Sequence, residues 1–302
     1  MLDNLFRLDG EPEILGAGVM PPMSPGDTVS NKVFPQGEWI PPIRRIKNVT
    51  FRNVAFSKTN ISQITFTDCF FEDCLFTGAH LNEVEFHGCR IVNCNLWKVR
   101  LTRVYLRPEK VRFAKRFRVE AANVGISAYH SMLSNFAEER QDKFFMEADI
   151  KFRRWTRYQI WHDLRVEKKT LQEALWSWAC SILHEYITGF GYRPWRFLFW
   201  TLVLFFAVSY LNYTLIGDAI KATDLASTLA PPASELQGEV GLSGHASFID
   251  TVFYTFSILT VLGFSSVTPM SDFAKILSVM EALAAIGWLG IFTAVLVKRF
   301  LR

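Results

Sequence analysis

Four cysteines have the type and regular spacing that could bind a metal ion. Cys69 and Cys74 form one C-x4-C pair, and Cys89 and Cys94 form a second. Structural zinc sites use tighter spacings, and all four cysteines fall on one five-residue lattice described below. We therefore interpret them as small interior residues with free thiols, which suit a reducing cytosol. The sequence predicts no metal site and no other cofactor.

Catalytic chemistry is not indicated by the common motifs. The sequence contains no H-E-x-x-H motif, no Walker A loop and no G-x-S-x-G motif. His80 and His87 lie near Glu83 and Glu85, but on a turning repeat this spacing is more typical of a solvated surface than of a ligand set. We expect no catalytic residues and no enzymatic activity.

Glu281 is the ionisable residue with the strongest indication of a role. It lies in the apolar run 273–297, about ten residues from its start, which at about 1.5 Å per residue is some 15 Å deep. An ionisable side chain near the middle of a membrane faces a pore or a polar partner. Two interpretations stay open: Glu281 lines a pore, or it packs against hydroxyls of a neighbouring helix such as Tyr254, Thr255 or Ser257.

Two apolar runs are long enough to cross a bilayer, whose hydrocarbon core of about 30 Å needs about 20 residues. They cover residues 197–216, which carry no charge, and residues 273–297. Basic residues flank the outer ends of both runs and the loop between them is mainly acidic, so the positive-inside rule places both termini in the cytosol. The N-terminus shows no signal-peptide pattern. We expect a multi-pass protein of the cell inner (plasma) membrane, in contact with the lipid bilayer.

A large apolar residue recurs at every fifth position from Phe51 to Leu106, and small or β-branched residues lie two positions earlier, from Val49 to Val104. Neither the period of a helix nor that of a strand keeps such a series on one face. The double lattice, as in ITFTDCFFEDCLFTGAHLNEVEF, resembles the pentapeptide-repeat family over residues 46–106. The resemblance implies a right-handed quadrilateral β-helix of about three coils, about 4.8 Å apart, with both series facing inward.

The segments that flank the lattice differ from it in composition. Residues 1–45 contain Pro and Gly and are predicted to be irregular. Residues 107–190 show helical periodicity and are predicted to form linker helices, the last of which is tryptophan-rich and suits a membrane interface. The basic run KFRRWTR, 151–157, is interpreted as a solvated face rather than a lipid-binding patch. A net charge of +4 without a basic-aromatic motif argues against nucleic acid as a partner.

A third apolar segment, SFIDTVFYTFSILTVLGF, precedes the second span. A complete crossing there would reverse the second span, so we predict a re-entrant pore helix over 247–260. This layout resembles the pore domain of the potassium-channel superfamily, in particular two-span bacterial ion-channel subunits, some of which are fused to pentapeptide repeats. The resemblance implies a multidomain membrane protein in which residues 191–302 form a two-span α-helical pore domain. It also implies a homotetramer, since each subunit supplies one filter strand.

The filter pattern of that family, T-T-V-G-Y-G-D-x-x-P, can be laid without a gap on TVLGFSSVTP, residues 260–269. The resemblance implies an ion selectivity filter at 260–266, supplied by Thr260, Val261, Leu262, Gly263, Phe264 and Ser265. It further implies a gating bend in the second span near Gly287 and Gly290.

Two departures from the pattern bear on selectivity. Val261 stands where the family has a second threonine, and Ser265 stands where it has a second glycine. Positive φ costs a non-glycine residue about 1–2 kcal/mol, so we expect an upper filter that is wider or more mobile. The predicted function is a cation channel for potassium or for monovalent cations including sodium, regulated by an unknown cytosolic ligand or protein at the repeat domain. The alternative is a non-conducting membrane scaffold or signalling protein that binds a partner through the repeats.

Overall fold

The computed structural model describes residues 5–16, 19, 21–39, 41, 43–216, 220–222, 247–260, 267–269 and 271–300. The chain divides into two compact units, Met1–Leu183 and His184–Arg302. Parallel strands and a group of helices make up the first unit, and long apolar helices dominate the second.

The described strands of the first unit form three parallel sheets with the orders β1-β2-β5-β8-β11-β13, β4-β7-β10 and β3-β6-β9-β12. Each strand is short, as expected where the chain turns every five residues. The strands are β1 Glu13–Ile14, β2 Thr28–Val33, β3 Gly37–Trp39, β4 Arg45–Lys47, β5 Thr50–Ala55, β6 Thr59–Ser62, β7 Thr65–Thr67, β8 Phe70–Glu72, β9 His80–Asn82, β10 Glu85–His87, β11 Arg90–Val92, β12 Arg100–Thr102 and β13 Val111–Arg112.

The strand register gives a coil of four five-residue faces. Phe51 lies opposite Phe71, and Phe71 lies opposite Ile91, so each partner is twenty residues further along the chain. Isolated parallel bridges from Ala55 to Leu75 and onward from Leu75 to Asn95 complete the fourth face. The predicted β-helix built from five-residue faces is therefore confirmed.

Both predicted series face the inside of the coil. All twelve small residues from Val49 to Val104 are buried, and the large residues are buried too, except that Leu101 is half-buried. Phenylalanine rings stack from coil to coil, with centroids 4.8 Å apart for Phe51 and Phe71. Stacked rings bury large apolar areas, so this column is the main apolar core of the coil.

The four lattice cysteines are buried small residues. The Cys69 thiol donates to the Ile46 carbonyl at 3.5 Å, and the Cys74 thiol donates to the Phe51 carbonyl at 3.4 Å. Burial raises the pKa of the Cys94 thiol, which keeps it protonated. In the part of the chain that the structure describes, no group of three His, Cys, Asp or Glu side chains could hold a metal ion.

Each face ends in a residue with left-handed backbone. A φ between +51° and +68° recurs at every fifth residue from Asn48 to Arg103. Such a φ is unfavourable for a long side chain such as that of Lys58. The amide of Lys58 donates to the Thr77 carbonyl of the next coil at 3.0 Å, so coil-to-coil hydrogen bonds hold the corner in place.

Two corner glycines give a matched test of this geometry. Gly78 and Gly88 both have φ of +68°, but an added Cβ would lie 3.7 Å from Lys58 Cγ at Gly78 and 2.1 Å from Asp68 Oδ1 at Gly88. We expect Gly78→Ala to cost about 1–2 kcal/mol through backbone strain alone, and Gly88→Ala to cost about 1 kcal/mol more. Chemical unfolding of the two variants measures this difference. Equal destabilisation would show that the Asp68 side chain moves aside without cost.

The solenoid starts before the predicted boundary at residue 46. Strand β2 pairs with β5 and β3 pairs with β6, and Val29, Phe34 and Trp39 are at most 5% exposed. These three residues are also five apart, but the step from Trp39 to Ile46 is seven residues. A search for a fixed five-residue period misses the first coil because of this two-residue insertion. The sequence therefore predicted an irregular segment over residues 1–45, whereas the structure shows that this segment is partly strand.

Helices follow the last strand of the solenoid. After the 3-10 turn at Pro108–Lys110 and strand β13 come α1 Lys115–Glu120, α2 Ala122–Glu138, α3 Asp142–Arg165 and α4 Leu171–Thr188, and the boundary between the two units lies within α4. Helices α2 and α3 pack closely, because a Cβ on Gly125 would lie 2.3 Å from the Trp155 ring. The apolar stripe of α4 is largely exposed, as at Leu171 and Tyr186.

Helix α2 caps the open end of the solenoid. Ser127, Ser131 and Asn135 occupy one face of the helix at four-residue steps, and their side chains bond the backbone of the final coil. The Asn135 amide donates to the carbonyl of Val104 and accepts from its N–H, both at 2.8 Å. An unpaired sheet edge can associate with other chains. Helix α2 therefore provides hydrogen-bond partners for backbone groups of the last coil and also shields that edge from other chains.

Among the described residues, the second unit contains three further helices and two short strands. Helix α5 is Pro194–Ile216, α6 is Phe248–Leu259 and α7 is Asp272–Phe300; β14 Ile220–Ala222 pairs antiparallel with β15 Val267–Pro269. Helices α5 and α7 are long and apolar enough to cross a membrane, whereas α6 is a shorter apolar helix. They contain the predicted spans 197–216 and 273–297, and α6 lies inside the predicted pore helix 247–260.

Candidate functional site

Helix α6 is short and has well-defined ends. Ser247 accepts from the Ile249 N–H at 3.3 Å, and Asp250 accepts from the Ser247 N–H at 3.2 Å, which forms a capping box. At the other end, the Thr260 hydroxyl donates to the Phe256 carbonyl at 2.6 Å. Capping satisfies the first amides of the helix, so α6 can be stable at a length that does not span a bilayer.

Of the predicted filter residues, the structure describes Thr260 alone, as the C-terminal cap of α6. Val261, Leu262, Gly263, Phe264 and Ser265 lie outside the described residues. Gly287 and Gly290 are exposed on α7, and a Cβ added at either would meet no described atom within 4 Å. Neither glycine is therefore required by packing among the described residues.

Asn212 joins helices α5, α6 and α7. It is fully buried on α5, and its Nδ2 donates to Thr255 Oγ1 of α6 at 3.0 Å and to Glu281 Oε2 of α7 at 3.1 Å. Glu281 therefore reaches α6 through Asn212 rather than through a direct bond to one of the predicted hydroxyls. We call Asn212, Thr255 and Glu281 the polar junction.

A second polar contact joins α6 to α7 nearby. The Tyr254 hydroxyl is hydrogen-bonded to Ser278, which itself donates to the Ala274 carbonyl. Because Ser278 has one hydroxyl proton, Tyr254 is the donor in this pair. Polar side chains that bond across helices act as specific links in an apolar environment, where few other partners are available.

Two buried polar atoms of the junction, Asn212 Oδ1 and Glu281 Oε1, have no hydrogen-bond partner among the described residues. Buried polar atoms are usually hydrogen-bonded, so the junction has unused capacity for further hydrogen bonds. Ser257 Oγ, elsewhere on α6, is also buried without a partner among the described residues.

Aromatic side chains of α5 and α7 also pack against each other, away from the polar junction. The Phe197 ring stacks on Trp288 at 4.7 Å and on Phe292 at 5.4 Å, and Trp288 Nε1 donates to the Thr201 hydroxyl at 2.9 Å. These residues, together with Glu281, border an apolar cleft of about 510 Å³ between the helices. The aromatic contacts fix the two spans relative to each other.

The end of α7 contacts the loop that precedes α5. Lys298 donates to the Phe190 carbonyl at 2.8 Å, and its ammonium lies 4.2 Å from the centroid of the Tyr192 ring. Gly191 has φ of +85°, and a Cβ there would lie 2.9 Å from the Lys298 side chain. Glycine at this position lets the lysine stem pass close to the backbone.

Sequence patterns did not identify Asn212 or Lys298. A polar amide inside the uncharged run 197–216 was a visible signal, because such residues in a span tend to bond to other helices. No local signal could connect Lys298 to Phe190, which lies far away in the sequence.

Two family models match the chain. Residues 222–302 match a family described as an ion channel, and residues 46–105 match pentapeptide repeats, in nine copies. The predicted combination of a pentapeptide-repeat segment with an ion-channel segment is confirmed, and the chain is a membrane protein in contact with the lipid bilayer. Both matches point to a protein that is not an enzyme.

Two solved structures are similar over part of the chain. The plasmid-mediated fluoroquinolone resistance protein QnrB1 is 13% identical with a TM-score of 0.19, covering 30% of this chain and 50% of its own. The pentapeptide repeat protein Rfr23 from the cyanobacterium Cyanothece 51142 is 17% identical with a TM-score of 0.16, covering 30% and 66%. The chain thus spans half the length of the first and 66% of the second. No curated protein matches the chain.

Proposed function

We propose that the protein is a homotetrameric cation channel of the plasma membrane, with both termini in the cytosol, that conducts potassium or other monovalent cations such as sodium. The observation that carries this proposal is the short capped helix α6, which ends at Thr260 between two helices long enough to span a membrane. The C-terminal end of a helix carries a partial negative charge. That end meets the start of the 260–266 segment and favours a cation there.

The surface of α7 supports an assembly of subunits. Apolar side chains such as Ile276, Leu283 and Leu289 are each 60–65% exposed in the single chain. Lipid can cover one side of the helix, and neighbouring subunits around a central axis would cover another. The unpaired atoms of the polar junction favour the same conclusion, since adjacent subunits and pore water supply hydrogen-bonding groups.

Within this channel, Glu281 would brace the filter rather than line the pore. Its carboxylate is bonded to Asn212, which also holds Thr255 on the helix that leads into the filter segment. Gly287 and Gly290 lie about 1.7 and 2.5 turns beyond Glu281 on α7, where their free surface would allow a gating bend or a close subunit contact.

The loop before α5 is the proposed route of regulation. Lys298 in the last turn of α7 bonds the Phe190 carbonyl, so movement of the loop would move the end of the helix at which a gate would close. A ligand or protein that binds the cytosolic repeat domain and shifts the linker helices would then change the open probability.

Recording from the purified full-length protein in planar bilayers tests this function, together with native mass measurement of its oligomeric state. We expect a tetramer and cation currents whose reversal potential follows the monovalent cation gradient. Ser265→Gly should raise the permeability of potassium over sodium, because glycine accepts positive φ without the cost of about 1–2 kcal/mol. Ser265→Ala is the matched control, since it removes the hydroxyl but keeps the Cβ.

Two outcomes would contradict the proposal in different ways. A monomer or dimer, or a tetramer that never conducts, would favour a membrane scaffold that binds a partner through its repeats. Equal permeability ratios for the Gly and Ala variants would show that the second glycine position does not control selectivity.

A further inference from the structure

Two clefts meet on the helices of the first unit. The basic cleft, of about 360 Å³, is lined by Arg112, Arg118, Lys151 and Arg154 together with Glu109 and Tyr129. The aromatic cleft, of about 310 Å³, is lined by Tyr158 and Trp161 together with Lys115, Arg118, His162 and Arg165. Arg118 and Tyr158 line both clefts, so the two form neighbouring compartments of one surface depression.

The charge of this depression is strongly positive. Six cationic side chains line the two clefts, and among the described residues that line them Glu109 supplies the only carboxylate. The whole chain has a net charge of only +4, so the depression concentrates positive charge locally. A concave site lined by one sign of charge attracts counter-ions, and guanidinium groups match the geometry of phosphate oxygens.

The environment of Lys151 disfavours its positive charge. Its ammonium donates to the Pro108 carbonyl and lies 5.6 Å from the centroid of the Tyr129 ring. The pKa of Lys151 is lowered to about 8, mainly by burial; Arg112 and Arg154 act in the same direction, whereas Glu147 and Glu109 act in the opposite direction. A half-buried ammonium beside other cations costs folding free energy, and an additional anion would reduce that cost.

The aromatic cleft offers flat apolar walls beside these cations. The Arg118 guanidinium lies 5.2 Å from the centroid of the Tyr158 ring, which holds it at the border between the clefts. Trp161 is half-buried and packs edge-on against Trp178 at 6.1 Å. A nucleobase stacks well on such rings, and cleft volumes above about 300 Å³ fall in the range of small-ligand sites.

We propose that the two clefts together bind a nucleoside phosphate, with its base in the aromatic cleft and its phosphates in the basic cleft. The base stacks on Trp161 beside Tyr158, and the phosphates bond Arg112, Arg118 and Arg154 and offset the charge of Lys151. The site belongs to the first unit, so its existence does not depend on whether the second unit conducts. A phospholipid headgroup would offer the same phosphate chemistry without a base.

Calorimetric titration of the full-length protein, in an uncharged detergent and a magnesium-free buffer, tests the proposal. The probes are ATP, inorganic tripolyphosphate, adenosine and dihexanoyl phosphatidylglycerol. We expect ATP to bind about tenfold or more tightly than either tripolyphosphate or adenosine, because each of these fills one cleft only. ATP that binds no more tightly than tripolyphosphate would overturn the assignment, and so would displacement of ATP by an equal concentration of the soluble lipid.

Single substitutions locate the site. Arg154→Glu should weaken ATP binding about tenfold or more. Lys143→Glu is the matched control, since Lys143 is an exposed cation on the same helix that lines neither cleft; it should change affinity less than about twofold. Trp161→Leu should reduce ATP affinity to that of tripolyphosphate while tripolyphosphate still binds, which also shows that the unit remains folded. Unchanged ATP affinity in Arg154→Glu or in Trp161→Leu would refute the site.

Discussion

Replacing Asn135 with leucine is expected to lower the free energy of unfolding of the first unit by about 2–6 kcal/mol. Asn135 is fully buried, and its side chain bonds both the N–H and the carbonyl of Val104 at 2.8 Å. Leucine has a similar volume but leaves a buried donor and a buried acceptor unpaired, and each unpaired group costs about 1–3 kcal/mol. Urea unfolding of the purified protein, followed by circular dichroism, measures the loss.

Ser134 provides the control for this experiment. It is the neighbouring residue on the exposed side of α2, and its hydroxyl bonds the His130 carbonyl of its own helix. Ser134→Leu should change the unfolding free energy by less than about 0.5 kcal/mol. If the two leucine variants unfold at the same urea concentration, helix α2 does not cap the solenoid through Asn135.

Replacing Asn212 with leucine is expected to shorten channel openings and to lower the thermal midpoint of the detergent-solubilised protein. The substitution removes the bonds to Thr255 and to Glu281 and leaves the Glu281 carboxyl without its described partner. Interhelical hydrogen bonds in membranes contribute about 0.6–2 kcal/mol each, so we expect a total loss of about 1–4 kcal/mol from the two bonds. Single-channel recording and thermal unfolding measure the two effects.

Two further variants test whether Glu281 supports the filter segment through its bond to Asn212 or lines the pore. Ser209 is buried one turn earlier on α5, and its hydroxyl bonds the Phe205 carbonyl of the same helix, so Ser209→Ala should leave gating unchanged. Glu281→Gln keeps the bond to Asn212 and removes the charge. If Glu281 braces the filter, single-channel conductance at low salt should hold in Glu281→Gln; a drop in that conductance would show that Glu281 faces the pore.

The β-helix was predictable because its determinants are local and repeated. Each face of five residues places one large and one small residue inward, and twelve repetitions from Val49 to Leu106 leave no other period that fits. The search for a five-residue period did not detect the first coil, because Trp39 and Ile46 are seven residues apart instead of five. A periodic search requires constant spacing, whereas a solenoid tolerates an insertion at a corner.

The membrane helices were predictable for a different reason. The bilayer sets a minimum apolar length, so two uncharged or nearly uncharged runs were enough to predict α5 and α7. The side chains that these helices contact were not predictable in the same way.

The burial of the basic run 151–157 was also not fully predictable from the sequence. The sequence indicated a solvated basic face, but Trp155 is only 6% exposed and Lys151 is half-buried.

By itself, the sequence determined the elements whose patterns repeat within a few residues: the five-residue faces, the two apolar spans and the short apolar segment between them. Only the tertiary structure decided which polar side chains meet. Asn212 and Glu281 are 69 residues apart, and Asn135 lies 31 residues from the Val104 backbone that it caps. Lys151 similarly reaches the Pro108 carbonyl across 43 residues. Side-chain periodicity reports the face on which a residue lies, but a hydrogen bond between distant residues depends on how whole elements pack, and no local pattern encodes that.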